Sequence, residues 1–377
     1  MDTEGNLTAV ELFAGAGGLL LGTSLAGFKH IAAVEWEHNC CETLRLNQKK
    51  GYPLIGSDMK IIEGDVREVD WSFLPKDIDL LAGGPPCQPF SLGGLAKAHD
   101  DARDMFPAYT EILERIRPKA FICENVKGLT RQSFSNYYNY ILLRLQHPAI
   151  HRKEDEDWEE HLARLTREHT TPNDEGLRYE VVPTVIDAAD YGVPQHRHRV
   201  IIVGFRSDVE ASWAFPAKTH DGKGEAGKKP WQTLGEAISS LPDPTKTQSA
   251  IANHIFRPGA KSYPGHTGSP IDAPAKAIKA GVHGVPGGEN TIRYPDGALR
   301  YMTVREAARV QTFPDGYEFS GAWSEGMRQI GNAVPVELAR KVAASVAIAL
   351  REDEARKQME RLISAELEAM DKVVANA

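Results

Sequence analysis

The segment from Leu7 to Leu25 constrains this chain more than any other. An apolar run, Leu7 to Phe13, leads straight into the turn Ala14-Gly15-Ala16-Gly17-Gly18, and Leu19 to Leu25 then reads as a helix. Strand, glycine turn and helix in that order open a doubly wound α/β sheet. The glycines let the backbone approach a ligand closely, and the turn aims a helix N-terminus at it. Tight helix–sheet packing also selects glycine, so the turn alone is compatible with a purely structural role. The first half of the chain keeps the rhythm. His30 to Val34 reads as strand, Glu37 to Leu46 as helix, and Ile78 to Leu81 and Ala120 to Cys123 as buried strands. Tyr179 to Ile186 and Val200 to Phe205 resume the sheet. The expectation is an α/β fold with a mainly parallel sheet covered on both faces, its ligand sites at the strand ends.

Two stretches depart from this rhythm. Residues 147–177 are highly charged, with Trp158, Leu162 and Leu165 at helical spacing, and read as an inserted surface helix that decorates the body. Residues 207–300 are rich in Pro, Gly, Lys and Ser, and only Leu234 to Leu241 looks helical, so a second, smaller domain is expected there. Helix returns at Thr303 to Thr312 and Val336 to Leu350. Beyond Arg351, the residues Ile363, Leu367, Met370 and Val374 form a short amphipathic seam that is expected to pack on the body. The division that follows is 1–206 with 322–377 as one domain and 207–321 as the other.

Taken as a sum, the formal charge of −8 argues against a polyanionic partner, but its distribution matters more than its sum. Residues 147–177 hold four Arg/Lys against nine Asp/Glu, and residues 352–377 hold four against seven, which accounts for the whole excess. Residues 207–303 hold eleven Arg/Lys against nine Asp/Glu and four histidines, so this region is able to meet phosphates. The four cysteines, Cys40, Cys41, Cys87 and Cys123, form no Cys-x-x-Cys pair, which calls for neither zinc nor disulfides. With no apolar run of membrane-spanning length and no signal-peptide pattern at Met1 to Gly5, the expected setting is the cytoplasm, with or without association to the nucleoid.

Three elements carry chemistry. Glu35 ends the second strand, where a carboxylate can hold ribose hydroxyls, and Asp65 in Gly64-Asp65-Val66 can accept from an adenine amino group. Either acid alone reads more simply as a surface charge; in order along such a sheet, with the glycine turn, they favour an adenosine-containing cofactor. The third element is Gly83-Gly84-Pro85-Pro86-Cys87-Gln88-Pro89-Phe90-Ser91. Its prolines exclude helix and strand and make a stiff loop that holds one thiol at the sheet edge.

With these motifs the chain resembles the DNA cytosine-5 methyltransferase family. The family's ordered motifs recur as Phe13 to Gly18, Glu35-Trp36, Gly64 to Val66, Gly84 to Ser91, Glu124-Asn125-Val126, Gln195-His196-Arg197-His198-Arg199, Arg305 to Pro314 and Gln329 to Pro335. The resemblance implies a Rossmann-like S-adenosylmethionine-dependent sheet with a smaller target-recognition domain. Cys87 is then the nucleophile that adds to carbon 6 of a flipped-out cytosine, because carbon 5 is too weak a nucleophile unaided. Glu124 contacts the ring edge of the base, Asn125 shapes the loop, and Arg197 and Arg199 orient base and carboxylate. The implied cofactor pocket places Phe13, Gly15 and Gly17 around the methionine portion and Glu35 at ribose. It places Trp36 and Val66 against adenine, Asp65 at its amino group and Asn332 near the methionine end, with Gly18 and Pro85 lining the same crevice. No metal is implied. The implied partner is double-stranded DNA, bound by a monomer that a restriction endonuclease can accompany.

Three rival readings fit the residues less well. The branch that methylates transfer RNA carries a Cys-Phe-Thr element in the target region, and here no cysteine follows Cys123. Amino-directed DNA methyltransferases place an aromatic residue after Asp-Pro-Pro or Asn-Pro-Pro, where this chain has Cys87. A silent DNA-binding regulator on the same fold could lose Cys87, Glu124 or the cofactor acids, and all are present.

Overall fold

The computed structural model of the protein describes residues 7–86, 104–171, 176–225, 227–246, 250–262, 267–280 and 290–375, with the side chains of 372–375 left aside. The strand β1 (Leu7–Leu12) is followed by α1 (Gly18–Leu25), β2 (Phe28–Glu35), α2 (His38–Lys49), β3 (Lys60–Glu63), β4 (Leu80–Gly83), α3 (Phe106–Ile116) and β5 (Ala120–Val126). After α4 (Ser135–Gln146) and α5 (Trp158–Thr170) come β6 (Tyr179–Asp187), β7 (Gln195–His196) and β8 (His198–Arg206). These strands give one seven-stranded sheet in the order β3-β2-β1-β4-β5-β8-β6. The first five run parallel, and β8 inserts antiparallel between β5 and β6. Antiparallel insertion brings the beginning of β8 beside the end of β5, where Val126 pairs with Arg199.

Both faces of the sheet are covered, as the near-continuous apolar strands require. Val10, Leu12, Leu81, Phe121 and Cys123 point to one side and pack with Tyr109, Ile112, Leu113 and Ile141 of α3 and α4. Their neighbours Ala9, Leu80, Ala82, Ala120 and Ile122 point to the other side and pack with Leu338, Val342, Ala343 and Val346. The period of two is what lets each strand feed both cores.

The irregular region carries the short strands β9 (His220–Asp221) and β10 (Lys229–Pro230), the helix α6 (Leu234–Ile238), and β11 (Ser269–Pro270), β12 (Ala275–Lys276), β13 (Thr291–Arg293) and β14 (Leu299–Tyr301). The strands β11, β13 and β14 form a small sheet, while β12 pairs with β7. Helices α7 (Val304–Val310) and α8 (Trp323–Asn332) follow. Thr303 and Glu306 form a capping box that starts α7. A third core joins Leu20, Leu21 and Leu44 to Leu234, Ile278, Ile292, Val304, Phe313, Tyr317 and Ile330. The expected smaller domain therefore shares apolar packing with the glycine turn and α2.

The charged insertion is more than a decoration. A capping box between Asp157 and Glu160 starts α5. Trp158 stacks edge-on against Tyr137 and Tyr140, and His161 and Leu165 are fully buried. The final helix corrects the expectation for the tail. Val336 to Ala375 is one continuous helix, α9, whose first half is buried while Met359, Ile363, Leu367 and Met370 are each half exposed or more. At 1.5 Å per residue it runs about 60 Å, roughly twice the length of a nine-residue strand, so its far half outruns the sheet it crosses. Buried Asp353, which accepts from the Glu210 N–H at 3.1 Å and pairs with Lys357 at 2.7 Å, marks the last anchored turn.

Candidate active site and cofactor edge

The end of β1 turns by three residues with left-handed backbone, Phe13 (φ 54°), Gly15 (φ 53°) and Gly17 (φ 85°). Glu35 secures the turn: its Oε2 accepts from the Gly15 N–H at 2.7 Å, and its Oε1 accepts from the Trp36 and Glu37 N–H groups at 3.0 and 2.8 Å. Burial holds the Glu35 carboxyl above the usual carboxylate range, and the three N–H bonds oppose that shift. Gly15 borders open space, since a Cβ there would meet nothing within 4 Å. Gly18 has a different task. A Cβ on it would lie 2.3 Å from the Val334 carbonyl oxygen, so it allows α1 to dock on the turn after α8.

The other residues expected to contact the cofactor are spread along this edge. Trp36 is 72% exposed, with its ring free to cover a planar group. Val66 is buried in the core with Trp71 and Ile78. Asp65 is not the exposed carboxylate its strand-end position suggests. Its side chain is only 15% exposed, it accepts from the Arg67 N–H at 2.9 Å, and it is ion-paired with the Arg67 guanidinium at 2.5 Å. That pairing holds its carboxyl below the usual range. Asn332 is exposed at the last residue of α8.

The chemistry-bearing edge lies at β4, β5 and β8. Buried Glu124, near the end of β5, pairs through Oε1 with Arg199 Nε at 2.7 Å. Its Oε2 faces Gly84, where a Cβ would come within 3.2 Å. Asn125 donates from Nδ2 to the Pro85 carbonyl at 3.0 Å and accepts from the Val126 N–H at 2.8 Å. Gly84 and buried Pro85 are thus fastened against Glu124 and Asn125. Cys87, two residues beyond Pro85, lies outside the described residues.

Arg197 departs from the role the resemblance implies. Two residues from Arg199 on the chain, it is buried to 2% exposure, and the ion pair with Glu124 is made by Arg199 and not by Arg197. It donates to three carbonyls instead, from Nη1 to Ile278 at 3.0 Å and from Nη2 to Gly331 at 2.7 Å and Ala333 at 3.0 Å. Burial, with the like charge of Arg199 second, pushes its guanidinium well below its ordinary pKa. Gln195 and Gln311 join the same group of contacts. Ile278 carries no polar side chain that could mark it in the sequence. His196 and His198 face Asp187 at 2.8 and 3.8 Å. One group of metal-ligand type occurs among the described residues, His38, Glu42 and Glu63, and the Arg45 guanidinium already pairs with both of its carboxylates.

The remaining thiols are in poor positions for attack. Cys40, Cys41 and Cys123 are buried, and burial pushes Cys41 up to about 12 and the other two in the same direction.

Comparison with known proteins accords with this geometry. The model of the C-5 cytosine-specific DNA methylase family matches residues 7–148 and 164–347. The chain belongs to that family. The Type II methyltransferase M.NgoPII of Neisseria gonorrhoeae is 32% identical over 369 residues, covering 91% of this chain and 96% of its own length. Among solved structures, a DNA modification methyltransferase encoded within an E. coli prophage aligns over 92% of this chain and 99% of its own, with a TM-score of 0.62 and 20% identity. The S. pombe Dnmt2 methyltransferase aligns over 91% and 98%, with a TM-score of 0.57 and 18% identity. At such identities the structural likeness speaks for the fold alone, an α/β sheet of the S-adenosylmethionine-dependent C5 methyltransferases. The protein transfers a methyl group from S-adenosylmethionine to carbon 5 of cytosine in DNA. Within the insertion, residues 149–163 fall in the gap between the two matched stretches, and the end of α9 lies beyond the second. Among the described residues no helix is long and apolar enough to cross a membrane.

Proposed function

We propose that Cys87 is the covalent nucleophile and that Glu124, oriented by Arg199, meets the ring edge of a cytosine flipped out of double-stranded DNA. The observation that carries this reading is the 2.7 Å ion pair between Arg199 and Glu124, with the Gly84–Pro85 segment fastened beside it. A carboxylate whose Oε1 is held by Arg199 keeps Oε2 on the side of the loop that leads to Cys87. There it can meet the ring nitrogen and exocyclic amine of the base, stabilising the charge that develops on attack.

In this scheme the Cys87 thiolate forms a bond to carbon 6, and the electron pair of the 5,6 double bond becomes available at carbon 5. Carbon 5 forms its bond to the methyl carbon as the methyl–sulfur bond breaks. Loss of the carbon 5 proton to a base then restores the double bond and expels the thiolate. When bound, S-adenosylmethionine would supply the electrophilic methyl group. The residues present fit it. Gly15 leaves open space beside the turn, Glu35 retains lone pairs beyond its three N–H bonds, and Trp36 offers a ring face. Phe13, Gly17 and Asn332 would border the methionine portion, with Asp65 and Val66 toward adenine.

Residues 207–321 are assigned to target recognition, on their mildly basic, irregular composition and their position in the chain. A single copy carries every residue named here and is the catalytic unit, working where the DNA lies, in the cytoplasm or on the nucleoid. Likeness to Type II methyltransferases supports a place in a restriction-modification system with a companion endonuclease.

The test uses a duplex carrying 5-fluorocytosine at the target. Fluorine cannot leave as a cation, so the protein remains covalently joined to DNA in the presence of S-adenosylmethionine, and denaturing electrophoresis shows a shifted band. Cys87→Ser abolishes the band, whereas serine at Cys40, Cys41 or Cys123 leaves it. An adduct that survives loss of Cys87 would falsify the assignment.

A further inference from the structure

The geometry points to Arg197, with Gln195, as a positioning residue that clamps the target-recognition segment and the Asn332 end of α8 to the strand carrying Arg199. This rests on the reading of Glu124 and Arg199 given above. Ile278, in the region assigned to target recognition, has both backbone groups taken by this clamp. Its N–H donates to Gln195 Oε1 at 2.8 Å, and its carbonyl accepts from Arg197 Nη1 at 3.0 Å. Gln195 Nε2 donates to Gln311 Oε1 at 3.0 Å, and Gln311 Nε2 donates to the Ile330 and Ala333 carbonyls at 2.7 and 3.0 Å. Arg197 closes the ring through the Gly331 and Ala333 carbonyls, which flank Asn332 on both sides. The contact leaves no slack. A Cβ on Gly331 would lie 2.5 Å from the Ala280 nitrogen, which brings the α8 terminus directly against the segment that follows Ile278.

The energetics argue for position rather than stability. Arg197 is a buried cation with no carboxylate at ion-pair distance among the described residues, and its Nε has no partner. A buried charge hydrogen-bonded only to carbonyls, with the Glu124 carboxylate beyond ion-pair reach, is a costly way to hold two segments together, and an apolar side chain of similar volume would pack at least as well. A rigid planar fork does what such a side chain cannot: it fixes three carbonyls from two segments at defined angles. Since Arg197 and Arg199 are alternate residues of one short stretch, fixing the first sets two walls, the Ile278 segment and the α8 terminus, relative to Glu124. Arg197 therefore acts through Ile278, Gly331 and Ala333, and it is not a catalytic residue.

Steady-state kinetics on the full chain tests this. Arg197→Met raises KM for DNA and KM for S-adenosylmethionine together, each about tenfold, with a smaller loss in kcat, the effect of one or two buried hydrogen bonds spread over both walls. Gln195→Leu, which touches Ile278 and Gln311 but neither carbonyl beside Asn332, raises KM for DNA more than KM for the cofactor. It also speeds hydrogen exchange at the Ile278 amide. Arg197→Lys, which keeps the charge and loses the fork, behaves like Arg197→Met. A fall in kcat of a hundredfold or more with both KM values unchanged would place Arg197 against the base and overturn the clamp, as would unchanged kinetics throughout. If Arg197→Met does not fold, the Gln195→Leu split decides. Failure of the Cys87 reading shows instead in the adduct assay, which these variants do not address.

Discussion

The edge formed by β1, β2 and β3 holds its acids in use by the protein itself, Glu35 by three backbone N–H groups and Asp65, just after β3, by Arg67, whereas the edge formed by β5 and β8 holds a carboxylate fixed by one arginine, with its other oxygen left over among the described residues. The difference teaches what each edge must do. On the proposed reading, a cofactor that enters and leaves each cycle would be met by groups whose present partners can be shared or exchanged. The groups proposed to act on the base are set before it arrives, because reorganising a buried ion pair during the reaction would add to the barrier.

The largest effect expected from this contrast is at Glu124. Glu124→Gln keeps the shape and removes the charge, so kcat falls by roughly 10²–10³, the loss typical of one preorganised electrostatic contact. Cofactor affinity by calorimetry stays within a factor of about two, since Glu124 belongs to the other edge. A matching loss of cofactor binding would merge the two edges into one.

A smaller and opposed pair of effects sharpens the cofactor side. Asp65→Ala weakens S-adenosylmethionine binding without unfolding the chain, because Asp65 caps only a short turn. Arg67→Ala frees the same carboxylate and tightens binding about twofold to fivefold, in line with the small worth of an exposed ion pair. If both variants weakened binding equally, the pair itself rather than the acid would be what the cofactor needs.

The smallest effect lies away from both edges, in the insertion. Burial holds His147 and His161 down to about 4. His161 is satisfied as a neutral ring, Nε2 donating to the Ile150 carbonyl at 3.0 Å and Nδ1 at 2.9 Å from the Tyr140 hydroxyl. Because the folded pKa values lie below the ordinary 6.5, the unfolded insertion binds more protons in this range. The stability from keeping these rings neutral is full above about 6.5 and declines as pH falls toward 4. Relative to the intrinsic rate at each pH, hydrogen exchange over α5 should quicken as pH falls across that window while exchange in β1 and β5 does not. Equal acceleration in all three would mean that the insertion has no separate acid sensitivity.

The main fold was legible because its signals are local. Apolar runs ending in special residues located β1, β2, β5, β6 and β8 to within a few residues, and the glycine turn announced the first crossover. The placement of β8 antiparallel between β5 and β6 was not legible, since strand order depends on which edges meet in space. The tail seam misled for a related reason. Its helical spacing is real, but spacing says only that one side is apolar and not whether the body extends far enough to cover it.

The sequence by itself determined the chemical inventory: the glycine turn, Glu35, the Pro-Pro-Cys87 loop, Glu124 and the paired arginines, all written in short contiguous motifs. Only the tertiary structure decided how the members of that inventory divide. Arg197 and Arg199 are the same residue type two positions apart, yet one faces Glu124 and the other faces the carbonyls of Ile278, Gly331 and Ala333. Backbone carbonyls carry no residue identity, so a partner of that kind leaves no trace in a sequence. It exists only once segments 81 and 134 residues away have been folded against the arginine.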